Sequence, residues 1–204
     1  MNKFILYAYP FRSRAERVIW TLRECDLPFE VIRLDLAKGE TRTPEFLRLN
    51  PSGKIPVLVH GDEVLTESMA IMEYLNDISQ TRALIPREPK AAYRYRKVVH
   101  YGLTEIEPYL WLAEQARRLK RLYHWPDGTY EEAIERVKDS LQIVAPWVAT
   151  HEHIGGTEFS LADIYYYHVI TWATQHQIEP PAGVGDYLRK LEKRAAFPVE
   201  MISR

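Results

Sequence analysis

Most of the reactive side chains in this sequence stand where their chemistry has no support. Cys25, the single cysteine, lies between Glu24 and Asp26 near a predicted helix C-terminus. Two carboxylates and the negative end of a helix disfavour a thiolate, so it reads as a semi-buried thiol and not as a nucleophile. His151 and His153 form the one close histidine pair. At i,i+2 on a helix their rings point apart, which suits a solvated helix end better than a metal. Gly53-Lys54 is not a phosphate loop, because Arg48 stands at the upstream glycine position and Ile55 follows the lysine. Arg117, Arg118, Lys120 and Arg121 lie near Tyr123 and Trp125, a nucleic-acid pattern in a basic protein. Here Asp127, Glu131, Glu132 and Glu135 follow at once, so the patch reads as a solvated helix end. The chain carries no GxGxxG, GxSxG or HExxH pattern.

Two segments stand above this background. One is Asn50-Pro51-Ser52-Gly53-Lys54-Ile55-Pro56-Val57-Leu58; the other is Leu65-Thr66-Glu67-Ser68-Met69-Ala70-Ile71. Read locally, Ile55-Pro56 starts an edge strand, where proline is allowed. Glu67-Ser68 reads as a cap and an acid at a helix start. Ser13-Arg14-Ala15-Glu16 has the form of a capping box, with Ser13 at the N-cap.

The elements that must position these residues follow from periodicity. Lys3 to Tyr9 is an apolar strand stopped by Pro10. Ala15, Val18, Ile19 and Leu22 recur on one helical face, and Phe29 to Asp35 makes a second strand. Strand, helix, strand in so short a span implies a parallel pair. Thr43-Pro44 opens a short helix through Leu49. Val57 to His60 and Glu63 to Leu65 flank a Gly61-Asp62 hairpin turn, and Glu67 to Ile78 is helical. The order is βαβαββα. Residues 79–89 carry two prolines and little apolar content and read as a linker. Beyond them strand patterns vanish. Lys90 to Tyr123 is a long helical stretch broken at Pro108. Thr129-Tyr130-Glu131-Glu132 has capping-box form and opens a helix to about Thr150. Ser160-Leu161-Ala162-Asp163 caps a helix apolar all round, and Asp186 to Ala196 forms the last. The fold class is α/β plus all-α: residues 1–78 form the α/β domain and residues 90–204 a helical bundle.

Composition agrees with this reading. Of 204 residues, 46% are hydrophobic and 27% charged, which is ordinary for a folded chain. Lys plus Arg is 27 against 28 for Asp plus Glu, so no global field favours nucleic acid or an anionic membrane as partner. A single cysteine fits a reducing compartment. The apolar run Phe4 to Tyr9 is too short for an export signal, and a soluble, cytoplasmic protein is expected.

The two segments, in this order after a βαβ unit, resemble the glutathione-binding half of the cytosolic glutathione S-transferases. Phe159 to Asp163 is similar to that family's cap on the core helix of its C-terminal domain. The resemblance runs from Lys3 to Phe197 and implies a thioredoxin-like first domain. It implies that Pro56 is a cis-proline, turning the Ile55 backbone toward the cysteinyl backbone of glutathione as an added strand would lie. It implies that Ser68 and the free N–H groups of its helix hold the γ-glutamyl carboxylate, with Glu67 on the ammonium. Arg42 and Lys54 match positions near the glycyl carboxylate.

The family lowers the thiol pKa of glutathione with a hydroxyl near the first strand–helix junction. Ser13 is the first candidate here, with Tyr9 and Arg12 beside it. The implied reaction is attack of the glutathione thiol on a hydrophobic electrophile, with glutathione as co-substrate, no metal, and a homodimer as the usual assembly. Tyr101, Tyr109, Trp111 and Leu112 are candidates for the electrophile side. Two alternatives share the fold. One is a glutathione-dependent isomerase of the maleylacetoacetate or maleylpyruvate type, whose Ser-Ser-Cys junction is replaced here by Arg12-Ser13-Arg14. The other is a non-enzymatic regulator that binds RNA polymerase, against which Glu67-Ser68 argues.

Overall fold

In Phe4–Ala8 (β1) every second side chain is buried: Phe4, Leu6 and Ala8 face inward while Ile5 and Tyr7 are half-buried. This alternation places one face of the strand against helices and fixes its register. β1 pairs in parallel with Phe29–Arg33 (β2), Leu6 opposite Val31, across the helix Ala15–Glu24 (α1). It pairs antiparallel with Val57–His60 (β3), Leu6 opposite Leu58, and β3 pairs antiparallel with Glu63–Leu65 (β4). The sheet order is β2-β1-β3-β4. The structure is a computed structural model that describes residues 3–9, 13–81 and 83–199.

Two further helices complete this layer. Pro44–Leu49 (α2) follows a single 3₁₀ turn at Glu40–Arg42, and Thr43 Oγ1 caps it by accepting from Phe46 N–H at 3.3 Å. Its Phe46 meets Tyr7 of β1 edge-on, with centroids 6.1 Å apart. Ser68–Ile78 (α3) packs beside α1 through its apolar face, Met69, Ile71, Met72 and Leu75. The βαβαββα order and the thioredoxin-like arrangement are those expected.

The chain divides into two compact units. The first holds residues up to Ile85 and takes in 193–199, and the second runs from Pro86 to Glu192. Residues 79–81 and 83–85, part of the expected linker, are fixed to the first unit. Asn76 Oδ1 accepts from Leu84 N–H at 2.7 Å, and Thr81 Oγ1 donates to the Cys25 carbonyl at 3.1 Å.

The second unit is helical. Pro89–Glu105 (α4) is capped by Glu88, whose carboxylate accepts from the N–H groups of Lys90 and Ala91 at 2.9 and 2.7 Å. Glu107–Arg117 (α5) follows after a break at Ile106. Pro108 is its second residue, and Ser140 Oγ donates to the Glu105 carbonyl freed by the break, at 2.9 Å. Thr129–Thr150 (α6), Leu161–Gln175 (α7) and Val184–Leu191 (α8) complete the set. α7 is buried on every side, as its all-round apolar sequence implies, and Tyr166 donates to the Val98 carbonyl of α4 at 2.7 Å.

Four local expectations are corrected. Arg14, in helical conformation and without a side-chain cap bond, precedes α1, so Ser13 lies one residue outside the cap position. Gly128, left-handed at φ +85°, precedes α6, and the Thr129 capping box does not form. The stretch after Pro108 leaves the helix at Arg117 rather than Tyr123, where the Arg118 and Leu119 N–H groups both turn back to the Glu114 carbonyl. The last helix spans Val184–Leu191, ahead of the expected Asp186 to Ala196. The Ser160–Asp163 capping box does form.

Candidate functional site

The sheet register brings the singled-out residues to one end of the first unit. Tyr7 lies opposite Val57, so β1 leaves the sheet where β3 enters it. Leu65 lies opposite Leu58, so β4 also leaves at that end. The strand ends therefore deliver Tyr9 and Ser13, Ile55-Pro56, and Glu67-Ser68 to neighbouring positions, and both α1 and α3 start there. Two helix N-termini directed to one place make it electropositive.

Each group is held locally. The Ile55–Pro56 peptide is cis, as expected. Among the described residues no backbone hydrogen bond engages Ile55, which leaves its amide and carbonyl available for an extended ligand. Ser68 is 6% exposed as the first residue of α3. Glu67 before it is exposed, with φ +64° and ψ 105°. A non-glycine residue held there stores strain of about 1–3 kcal/mol and points to a functional constraint.

The loop between α2 and β3 is braced from within. The buried Asn50 donates through Nδ2 to the Lys54 carbonyl at 2.7 Å, and its Oδ1 accepts from Ser52 N–H and Oγ at 3.1 and 2.8 Å. Arg42 Nη1 donates to the Ser52 carbonyl at 3.1 Å. Gly53 has φ +61°, and a Cβ there would run into the Arg42 guanidinium. Arg42, expected near a ligand carboxylate, thus serves at least partly as a brace, while Lys54 is exposed. Asn50 and Gly53 were not singled out as site residues; an asparagine three residues before a glycine in a turn is the pattern that marks them.

At the first junction, Ser13 Oγ donates to the Tyr9 carbonyl at 2.9 Å and accepts from Ala15 N–H at 3.3 Å. Tyr9 is 36% exposed. Arg12 lies outside the described residues. Among the described residues no group of three or more His, Cys, Asp or Glu could hold a metal. His153 is buried beside Asp163, its Nδ1 3.3 Å from Oδ1, and is not the solvated residue expected. Tyr101, Tyr109, Trp111 and Leu112 of the second unit are all half-buried; Tyr101 packs edge-on against Trp147 and Trp111 against Tyr123.

Comparison with known proteins bears on this arrangement. Residues 2–77 match the family description "Glutathione S-transferase, N-terminal domain", and residues 114–198 match "Glutathione S-transferase, C-terminal domain". Glutathione S-transferase 1 of Dianthus caryophyllus is 45% identical over 167 residues, 80% of this chain and 74% of that protein. The chain belongs to the cytosolic glutathione S-transferase family.

Other members extend the match. A probable maleylacetoacetate isomerase of Vibrio cholerae is 30% identical over 179 residues, 80% of this chain and 78% of that protein. The crystal structure of glutathione transferase URE2P6 from Phanerochaete chrysosporium, in complex with oxidized glutathione, has a TM-score of 0.82 at 25% identity. It covers 96% of this chain and 93% of that one. Within the glutathione S-transferase family, the sheet end described above is formed wholly by the residues matched to the N-terminal domain. No helix among the described residues is long and apolar enough to cross a membrane.

Proposed function

We propose that this protein is a glutathione transferase that activates the thiol of glutathione for attack on a hydrophobic electrophile. The observation that carries the reading is the convergence of Ser68, Ile55 and Ser13 at one sheet end where α1 and α3 both begin. The γ-glutamyl carboxylate binds Ser68 and the first N–H groups of α3, with Glu67 on the ammonium. The Ile55 backbone pairs with the cysteinyl residue. Lys54, with the donors of Arg42 not spent on Ser52, takes the glycyl carboxylate.

This pose leaves the sulfur at the start of α1. Rotation about the Ser13 Cβ–Oγ bond redirects its proton from the Tyr9 carbonyl to the thiolate, while the Ala15 N–H bond to Oγ persists. Tyr9 and Arg12 are the neighbouring groups able to assist. The thiol proton is released to solvent, and the thiolate then forms a bond to carbon of the electrophile as the leaving group departs with its electron pair; where a double bond is attacked, the adduct takes a proton from solvent instead. Glutathione is the co-substrate, the chemistry as written uses no metal, and neither nucleic acid nor membrane is a partner. The protein works in the cytoplasm as a homodimer.

Calorimetric titration with glutathione, followed by a panel of electrophiles, tests the reading. Saturable binding and conjugation support it. Absence of glutathione binding refutes it and favours the regulator. The isomerase relative supplies a second reading, and turnover of a cis-enedione acid without net loss of glutathione is its mark.

A further inference from the structure

The last described segment of the chain closes on α1. Arg194 grips Glu24 in a fork: Nε donates to Oε1 at 2.7 Å and Nη2 to Oε2 at 2.9 Å. Trp20 Nε1 donates to the same Oε1 at 3.1 Å. Three residues beyond Arg194, Phe197 meets the Trp20 ring edge-on, with centroids 4.9 Å apart and planes at 82°. Glu24, Trp20 and Phe197 are all nearly inaccessible to water.

Glu24 is an unfavourable residue at this place by itself. It sits in the last turn of α1, where the helix dipole is negative, and its carboxylate is removed from water. The Arg194 fork supplies a compensating charge, in the bidentate geometry that a lysine cannot reproduce. The pair therefore fixes the orientation of the end of α1 as well as its depth. A ten-residue helix is a stiff rod of about 15 Å, so constraining its last turn constrains the aim of its first. That first turn carries the positive end of the dipole, and Ser13 lies just before it, accepting from Ala15 N–H.

We infer that Arg194 is a positioning residue for thiol activation: acting through Glu24, with Phe197 on Trp20, it sets the axis of α1 and so the aim of the α1 N-terminus at the glutathione sulfur. This rests on the reading that the first strand–helix junction activates the thiol. In the proposed pose glutathione is held by α3, Ile55, Lys54 and Arg42, whereas the Arg194 fork and the Phe197 ring contact described above are made to α1. The inference thus separates two quantities that a purely structural clamp would leave alone or lower together.

The test is the ultraviolet absorbance of thiolate in the glutathione complex against pH, read beside calorimetric glutathione affinity. It uses the full chain as wild type, Arg194→Lys, Arg194→Ala and Phe197→Leu, at temperatures well below unfolding. Arg194→Lys and Phe197→Leu keep the charge or the apolar anchor and serve if Arg194→Ala does not fold. The expected result is a thiolate fraction near neutral pH lowered roughly threefold to tenfold in the Arg194 variants, half to one unit of thiol pKa, with affinity unchanged. Phe197→Leu moves the same way by less. Variants that melt earlier but titrate like wild type overturn the inference, as does a parallel loss of affinity and thiolate. If the wild-type complex itself shows no lowered thiol pKa, the activation reading fails first, and the inference falls with it.

Discussion

The Tyr187 hydroxyl donates to Asp163 Oδ1 at 2.7 Å, joining α8 to the first turn of α7. The same carboxylate accepts from Ile154 N–H at 3.1 Å and, through Oδ2, from Ser160 N–H at 2.8 Å. Asp163 is wholly buried, so these donors replace its water. Burial, reinforced by the Asp163 charge, pushes the Tyr187 hydroxyl well above its usual range, and it remains a donor at every working pH. Tyr187→Phe is expected to lower stability by about 1.5–3 kcal/mol, the scale for a bond to a charged group. Urea denaturation measures this, and glutathione affinity should not move.

Ser68→Ala should weaken glutathione binding by about 1.5–3 kcal/mol, roughly 10- to 100-fold in Kd. The residue is buried at the first turn of α3, so water does not substitute for the lost hydroxyl. Unchanged affinity by calorimetry would remove Ser68 from the carboxylate site.

A free thiol titrates near pKa 8.5, and lowering that by about 2 units requires roughly 2.7 kcal/mol of preference for the thiolate. One hydroxyl donor supplies about 1.5–3 kcal/mol and a helix N-terminus about 0.3–1 kcal/mol. Ser13→Ala and Ser13→Gly should each raise the bound thiol pKa by more than about one unit, with glutathione affinity nearly constant. Because Arg14 and not Ser13 adjoins the helix, the two variants should differ little in stability. Thiolate absorbance indistinguishable from wild type in both would shift attention to Tyr9 and Arg12.

Gly53→Ala tests the brace. The new Cβ meets the Arg42 guanidinium and the Thr41 carbonyl, and φ +61° disfavours any side chain. A loss of about 1–3 kcal/mol in stability is expected, together with weaker glutathione binding as Lys54 and Ile55 shift. Melting temperature and calorimetry report the two effects separately.

Glu114 links stability to acid. Burial raises its pKa, but the His176 ring nitrogen 3.3 Å away, the hydrogen bond from Trp172 and the charge of Arg118 outweigh that and hold it below the ordinary 4.5. A folded-state pKa below the unfolded one gives stability that is present above the unfolded value and lost as pH falls through the folded one. The stability gap between wild type and Glu114→Gln should therefore be constant at neutral pH and shrink below pH 4.5. Urea midpoints across that range check it.

What could be read from the sequence depended on how local its cause was. β3, β4 and their turn followed from alternation and Gly61-Asp62, and α2 from Thr43-Pro44, because each pattern is satisfied within a few residues. The grouping of Ile55 with Ser68 came through family resemblance, and the register of β1, β3 and β4 supplies its physical basis. Ser13 was misplaced by one position because the caps at Ser13 and Arg14 differ only in backbone angles that composition does not encode. His153 was read as solvated because Asp163, its neighbour, lies beyond a turn. Glu24 and Arg194, 170 residues apart, carry no pattern that joins them.

That separation has a bearing on how the protein is made. A ribosome releases the sheet and its helices long before it releases residues 193–199. Until then Trp20 lacks the Phe197 ring and the Glu24 carboxylate lacks the Arg194 fork. The nascent first unit therefore matures last, although it is synthesised first, and its final tightening is a contact of high sequence separation and slow loop closure. A stalled or clipped chain would leave the buried Glu24 carboxylate without its Arg194 fork, a ready mark for quality-control proteases.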